Sequence, residues 1–327
     1  MTNTPNPEAP STPRLPRRNI TGVLLLDKPF GLSSNAALQR ARNLFGALKA
    51  GHTGTLDPHA TGLLPLCFGE ATKFSGWLLD APKGYEAQIR LGYTSTTADG
   101  EGEITALHPY AGSPAELEKI LHSFLGHQTQ QPPMHSALKL NGKPLYSYAR
   151  AGLEVERVAR AIEVMSLNLL QWQDELLTIE AKVSKGTYIR VLVEDMGRAL
   201  GCGGYLSALR RTQTGPFSLH SAVTLEQLQH MSLAQREACL LPADAMLPDV
   251  PRLDLNAEQS EHIRHGRDIS WPITAPHESG ARYRVYSHEQ FFLGVCEITD
   301  QQKLHAARLM AEEYLEPTLV KPVTFVS

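Results

Sequence analysis

Hydrophobic and polar positions change period along this chain, and each period predicts an element. Residues 21–27 hold the unbroken run Val23-Leu24-Leu25-Leu26 and predict a short buried strand, which Lys28-Pro29-Phe30-Gly31 ends as a turn. Ala37, Leu38, Ala41, Leu44 and Phe45 recur at helical spacing, and Ser33 or Ser34 can cap the helix they predict. A loop rich in Gly and Thr follows at 51–58, then a compact apolar run at 63–68 and an expected helix over 70–79. Through 83–92, Tyr85, Ala87, Ile89 and Leu91 alternate with polar residues, the period of a strand.

Asp99-Gly100-Glu101-Gly102 reads as an acidic loop, and Ser113-Pro114 opens a helix to about Phe124. Residues 128–133 are expected to be extended. Asn141-Gly142 is a turn between a strand ending near Leu140 and a short helix from Leu145. Residues 162–172 and 176–184 predict paired strands joined across Gln173-Asp174, 187–200 a helix stopped by Gly201, and 205–212 another strand. Strands outnumber the helices between them and several pair antiparallel, so an α+β fold is favoured over a doubly wound α/β one. Pro242, Pro248 and Pro251 mark a seam. The expected division is a disordered tail at 1–19, a main domain at 20–248, and a small β-rich domain at 249–327 with strands at 282–286 and 291–298.

Composition narrows the class without naming it. The 327 residues are 42% hydrophobic and 20% charged, ordinary for a globular protein. No apolar run approaches the roughly 20 residues that span a bilayer, and the first 19 residues lack a signal segment, so a cytoplasmic protein with no membrane contact is expected. Cys67, Cys202, Cys239 and Cys296 have neither metal-ligand nor redox spacing, which implies free thiols and no metal. The net charge of −3 argues weakly against a nucleic-acid partner, but the charge is unevenly placed. Residues 14–49 carry Arg14, Arg17, Arg18, Lys28, Arg40, Arg42 and Lys49 against Asp27 alone; residues 182–211 carry Lys182, Lys185, Arg190, Arg198, Arg210 and Arg211 against Glu194 and Asp195. On a shared face these would make a phosphate-binding footprint; apart, they are solvated charges.

Asp57 draws the chemical question. An Asp before Pro often caps a helix, and that explanation stands beside a catalytic one. Gly51, Gly54 and Gly62 would let backbone approach a bulky ligand, while His52 and Thr53 add polar groups. The apolar run from Leu63 would set the carboxylate at the rim of a core. The stretch Gly51-His52-Thr53-Gly54-Thr55-Leu56-Asp57-Pro58-His59-Ala60-Thr61-Gly62-Leu63-Leu64-Pro65 resembles the active-site motif of the TruB family of tRNA pseudouridine synthases. Leu26-Asp27-Lys28-Pro29 with Gly31 and Ser33-Ser34 resembles its N-terminal motif. Lys185-Gly186-Thr187-Tyr188-Ile189-Arg190 and Leu206-Ser207-Ala208-Leu209-Arg210-Arg211 resemble its later two. The blocks fall in order between about 20 and 245. Gly204-Tyr205 departs from the pattern, since many relatives carry a histidine there.

The resemblance implies a pseudouridine synthase fold: a mixed, largely antiparallel central sheet with flanking helices, plus a PUA-like domain at the C-terminus. It implies isomerisation of uridine 55 in the T-loop of tRNA by base flipping, with no cofactor, and with possible chaperoning of tRNA folding. It assigns catalysis to Asp57, Tyr85 and Arg190. Arg190 would pair with the Asp57 carboxylate, and Tyr85 would stack on the target base. Substrate contacts fall to His52 as the flipping wedge, Lys28 as support for the loop, Tyr188 and Leu209 as walls, and Arg210 and Arg211 as phosphate grips. A monomer needing no guide RNA and no protein partner is expected. The segment from Asp249 has twelve acidic and eight basic residues, so its electrostatic help is doubtful. A non-catalytic RNA chaperone, a guide-RNA-dependent synthase and a hydrolase using Asp57 and His52 are the rival readings.

Overall fold

Gly22–Lys28 and Ala60–Phe68 pair antiparallel, and each strand serves two cores at once. Leu24, Leu26, Leu64, Leu66 and Phe68 enter one apolar cluster; Val23, Leu25, Leu63 and Cys67 enter a second on the opposite face. A strand buried on both faces needs a continuous apolar run, which is what residues 23–26 and 63–68 supply. The computed structural model describes residues 15–270 and 278–311. Among them, eleven strands form one sheet. Its main path runs Val223–Thr224, Gly22–Lys28, Ala60–Phe68, Gly204–Thr214, Lys83–Leu91, Leu176–Val183, Arg160–Gln173 and Gly126–Gln130. The pairings of Gly22–Lys28 with Val223–Thr224 and of Ala60–Phe68 with Gly204–Thr214 are parallel; the others on this path are antiparallel. The α+β expectation holds, with a mixed sheet.

Two helices cover the first cluster. Ser34–Phe45 starts where the Ser33 hydroxyl accepts the Ala36 N–H at 3.1 Å, and stops at Gly46, whose φ of 62° lets its N–H close on the Arg42 and Asn43 carbonyls. It buries Ala37, Leu38, Ala41 and Phe45. Ile189–Ala199 buries Ile189, Leu192, Val193 and Met196 in the same cluster. It begins two residues later than its sequence pattern predicts, because the Gln130 amide engages the Tyr188 backbone at both N–H (2.8 Å) and carbonyl (3.1 Å). The helix expected at 70–79 divides into a 3₁₀ segment, Gly69–Phe74, and an α-helix, Ser75–Asp80. Its apolar positions Ala71, Phe74 and Leu78 step by three and then four, and the backbone tightens at the shorter step.

Residues 1–14 of the expected tail lie outside the described residues. Residues 15–19 pack on the domain: the Arg18 N–H donates to the Gly46 carbonyl at 2.8 Å, and Arg17 reaches Asn43 Oδ1 at 2.9 Å. After Pro251 a second sheet of five strands runs Arg252–Asp254, Arg282–Tyr286, Phe292–Ile298, Lys303–Leu309 and Ile269–Ser270, with helix Ala257–Arg264 beside it. The hydrophobic pattern predicts only its second and third strands. This unit is tied to the first: Val295 joins the Met246–Leu247 cluster, the Lys73 ammonium donates to the Leu309 carbonyl at 3.0 Å, and Glu70 accepts the Ala311 N–H at 2.6 Å.

Gly62 marks the tightest approach at a glycine in the eleven-stranded sheet. Its φ is +99°, and a Cβ there would stand 2.3 Å from the Arg211 carbonyl oxygen. Gly62→Ala is therefore expected to destabilise the protein by more than about 1 kcal/mol in urea unfolding.

Candidate active site

The polypeptide between Ala50–His52 and Ala60–Phe68 carries Asp57, and its backbone carbonyls are engaged from Gly54 to Pro58. Arg211 lies beneath it, with Nη2 3.3 Å from the Gly54 carbonyl, Nη1 3.5 Å from the Thr55 carbonyl, and Nε donating to the Leu63 carbonyl at 2.7 Å. The buried Ser34 hydroxyl donates to the Leu56 carbonyl at 2.9 Å and accepts the Leu56 N–H at 2.7 Å. The Asp57 carbonyl accepts from the Ala60 N–H at 3.1 Å, and the Pro58 carbonyl from the Gly31 N–H at 2.8 Å. Lys28, fully buried, adds its ammonium at 3.4 Å from the Pro58 carbonyl while donating to Leu32 (2.6 Å) and Pro29 (3.0 Å). Every carbonyl from Gly54 to Pro58 thus has a donor, so a loop rich in glycine is held in one shape.

The Asp57 side chain leaves this frame half-exposed and meets Arg190: Oδ2 lies 3.1 Å from Nη2. Arg190 is buried, and its Nη2 also donates to the His135 carbonyl at 2.7 Å. Nη1 lies 3.2 Å from Oδ2 of Asp99, itself largely buried. The other Asp99 oxygen accepts from the Thr97 hydroxyl and from the Glu101 N–H at 3.0 Å. One planar guanidinium therefore joins two carboxylates and a carbonyl, a fixed fork that a lysine could not reproduce.

The cleft above Asp57 holds about 260 Å³ and is lined by Tyr85, Tyr188, Arg190, Leu209 and Arg211, together with Lys83 and the backbone of Gly186–Thr187. Tyr85 stands on Lys83–Leu91, paired in register with Arg211 on one side and Ala181 on the other. Leu209 is paired with Ala60 and Ala87. Lys28, His52 and Arg210 are not among the lining residues. His52 pairs with Leu66 at the end of a strand, and its Nδ1 is shielded from solvent without a partner. Burial, reinforced by the Arg211 charge, lowers its pKa and favours the neutral ring.

The phosphate grip expected of Arg211 is corrected by its burial at 1% exposure: its guanidinium is turned into the carbonyls of Gly54, Thr55 and Leu63. Arg210 is half-exposed and pairs with Asp27 at 2.6 Å. The two basic runs therefore offer less surface charge than their count, since Lys28, Arg190 and Arg211 are internal. Four residues of the site carry roles with no sequence signal. Asp99 reads as one more loop acid, Ser34 as a helix cap, Gln130 as a strand polar residue, and Lys83 as a strand opener. Lys83 is buried and donates to the carbonyls of Leu79 and Ala81 at 2.7 Å each.

Comparison with known proteins shows the family. A family model described as "TruB family pseudouridylate synthase (N terminal domain)" matches residues 42–189, and "tRNA pseudouridylate synthase B C-terminal domain" matches 190–248. A protein of Ralstonia nicotianae named "tRNA pseudouridine synthase B" is 54% identical over 275 residues, covering 83% of this chain and 87% of its own. The chain belongs to the TruB family. A third model, "Pseudouridine synthase II TruB, C-terminal", matches 251–310. The tRNA pseudouridine synthase B of Chromobacterium violaceum is 49% identical over 304 residues, covering 93% of this chain and 99% of its own. Among solved structures, "Crystal Structure of a Cbf5-Nop10-Gar1 Complex" contains a chain with a TM-score of 0.68 at 24% identity, spanning 91% of this chain and 87% of that one. This likeness places the TruB chain in the pseudouridine synthase fold. No helix among the described residues is long and apolar enough to cross a membrane.

Two outcomes follow from the buried charges of this TruB site. Asp99→Asn removes one of the charged bonds that orient Arg190, and the pseudouridine-forming rate is expected to fall about 10- to 100-fold with the fold intact by circular dichroism. Burial lowers the Lys28 and Lys83 pKa values from 10.5 to about 8, against the pull of Asp57 on Lys28. Above about pH 8 the unfolded chain therefore holds more protons than the folded one, and these lysines make stability rise with pH up to about 10.5. Urea unfolding of Lys28→Met between pH 8 and 9 should show a shallower rise than the wild type.

Proposed function

We propose that this chain isomerises uridine 55 in the T-loop of tRNA to pseudouridine, with Asp57 as the catalytic carboxylate. The observation that carries the proposal is the Asp57–Arg190 pair in a nucleotide-sized cleft, in a chain of the TruB family. In the reaction the C1′–N1 bond breaks, the uracil turns over, and a C1′–C5 bond forms; C5 loses its proton and N1 gains one. Atoms and electrons balance within the nucleoside, so the chemistry calls for no cofactor. Arg190 pairs with Asp57 at 3.1 Å and fixes the direction of its side chain. Tyr85, a wall of the cleft, stacks on the target base. Leu209 and Tyr188 complete the walls.

Four buried cations surround two carboxylates: Lys28, Lys83, Arg190 and Arg211 against Asp57 and Asp99. That positive excess suits a polyanion such as RNA. The target uridine reaches the cleft only when it is flipped out of the folded T-loop. His52, neutral and lacking a partner at Nδ1, takes the vacated place in the stack. Arg210, half-exposed beside the cleft strand, serves the phosphates. The relatives named for tRNA are 49–54% identical, and the matched chain of the Cbf5-Nop10-Gar1 complex 24%. This contrast supports action on tRNA without a guide RNA; the proposal takes the chain to be a cytoplasmic monomer with no obligate protein partner.

Purified protein should release close to one equivalent of tritium from tRNA labelled at uracil C5, with no added factor. Asp57→Asn should lower the rate at least about a thousandfold, and a target uridine-to-cytidine transcript should release none. Tight tRNA binding without release would instead favour a chaperone or a partner-dependent enzyme. The logarithm of the binding constant should fall linearly with the logarithm of salt concentration.

A further inference from the structure

Phe30 is 64% exposed at the tip of the turn Pro29-Phe30-Gly31, and its ring is stacked on His59, with centroids 4.8 Å apart and planes 18° from parallel. Full burial of a phenylalanine stabilises a protein by about 1.5–3 kcal/mol, so an exposed one gives that up. The turn presenting it is rigid. Gly31 donates to the Pro58 carbonyl, and the Lys28 ammonium holds the carbonyls on both sides, those of Pro29 and Leu32. His59 has its own neighbour: Glu101 Oε1 lies 3.5 Å from its Nδ1, and the Glu101 N–H donates to Asp99, the partner of Arg190. A continuous chain of contacts thus runs from Asp57 through Arg190, Asp99, Glu101 and His59 to Phe30. Along the backbone, His59 is two residues from Asp57, at most about 7.6 Å between Cα atoms.

We propose that the open face of Phe30, backed by His59, is a stacking platform for an unpaired base of the RNA substrate within one or two nucleotides of the isomerised uridine. This rests on the reading that the cleft acts on RNA. A flipped uridine leaves its loop neighbours partly unstacked, and an aromatic face at a fixed distance from the cleft restores stacking to one of them. Stacking uses the π-face that every base has, so the platform sets position and affinity without reading sequence. The outer face of Phe30 takes the base, and the His59–Glu101 contact keeps the pair from turning.

The test is equilibrium binding of a T-arm stem-loop carrying cytidine at the target, so that no turnover intervenes. Phe30→Ala and Phe30→Leu should weaken binding roughly 5- to 100-fold, the range that loss of a stacked ring produces. Phe30→Trp should stay close to wild type. Replacing the unpaired loop nucleotides one at a time by abasic sites should then reveal one position where the loss seen with wild type disappears in Phe30→Leu. If Phe30→Leu binds as tightly as wild type, or if its loss adds to that of every abasic site, the platform does not exist. Tritium release by the wild-type protein on the ordinary stem-loop is followed separately. Release without the Phe30 coupling overturns the platform alone; the coupling without release leaves the platform standing and overturns the proposed reaction.

Discussion

Five consecutive carbonyls, from Gly54 to Pro58, each have a donor, and the placement of the candidate catalytic group depends on that fact. Apart from the nearby Ala60 N–H on the Asp57 carbonyl, the donors come from distant parts of the chain: Arg211 in one strand, Ser34 in the first turn of a helix, Lys28 at the end of another strand and Gly31 in the turn after it. None contacts the loop unless the main sheet and its first helix are assembled. The loop shape is thus a product of the whole domain, and the Asp57 side chain projects from it toward Arg190 before any substrate arrives. Such preorganisation spares the reaction the entropy of positioning the carboxylate.

Burying cations to hold carbonyls is expensive unless each proton finds an acceptor. Lys28, Lys83 and Arg211 meet that condition almost entirely with backbone oxygens, so their charges are only partly offset by acids, Asp57 near Lys28 and Asp80 near Lys83. The result is an interior that stays positive around the cleft although the whole chain carries a net charge of −3. The position of charge, rather than its sum, makes the site suited to RNA. The C-terminal sheet is knitted to the opposite face of the same strands through Val295 and the Lys73–Leu309 bond, and adds a second anchor away from the cleft.

Much of this was legible in the sequence, for reasons that differ by residue. The runs at 23–26 and 63–68 announce doubly buried strands because no polar residue interrupts them. Asp57 and Arg190 were found through motif resemblance, and the structure sets them 3.1 Å apart. Asp99 was not legible as a partner, because a loop acid looks the same whether it faces water or a buried guanidinium. Arg211 was misjudged for the complementary reason: adjacent arginines on a strand point to opposite faces, so Arg210 is half-exposed while Arg211 is buried. Ser34 and Gln130 act through backbone atoms of residues far away in sequence, and no local pattern carries such a contact. The helix at 257–264 and the strands at 252–254, 269–270 and 303–309 of the small domain escaped because they are short or have their apolar positions interrupted by charged and polar residues, which leaves little periodicity.

The central claim is that the Asp57 loop is locked in the free protein. Amide hydrogen exchange reads this directly at Leu56, whose N–H donates to the buried Ser34 hydroxyl, and at Thr53, whose N–H donates to the Pro65 carbonyl at 3.2 Å. The account predicts slow exchange at both, comparable with Leu64 and Leu66 in the adjoining strand. Exchange at the rate of an open, unstructured loop, with the strand still protected, would contradict it.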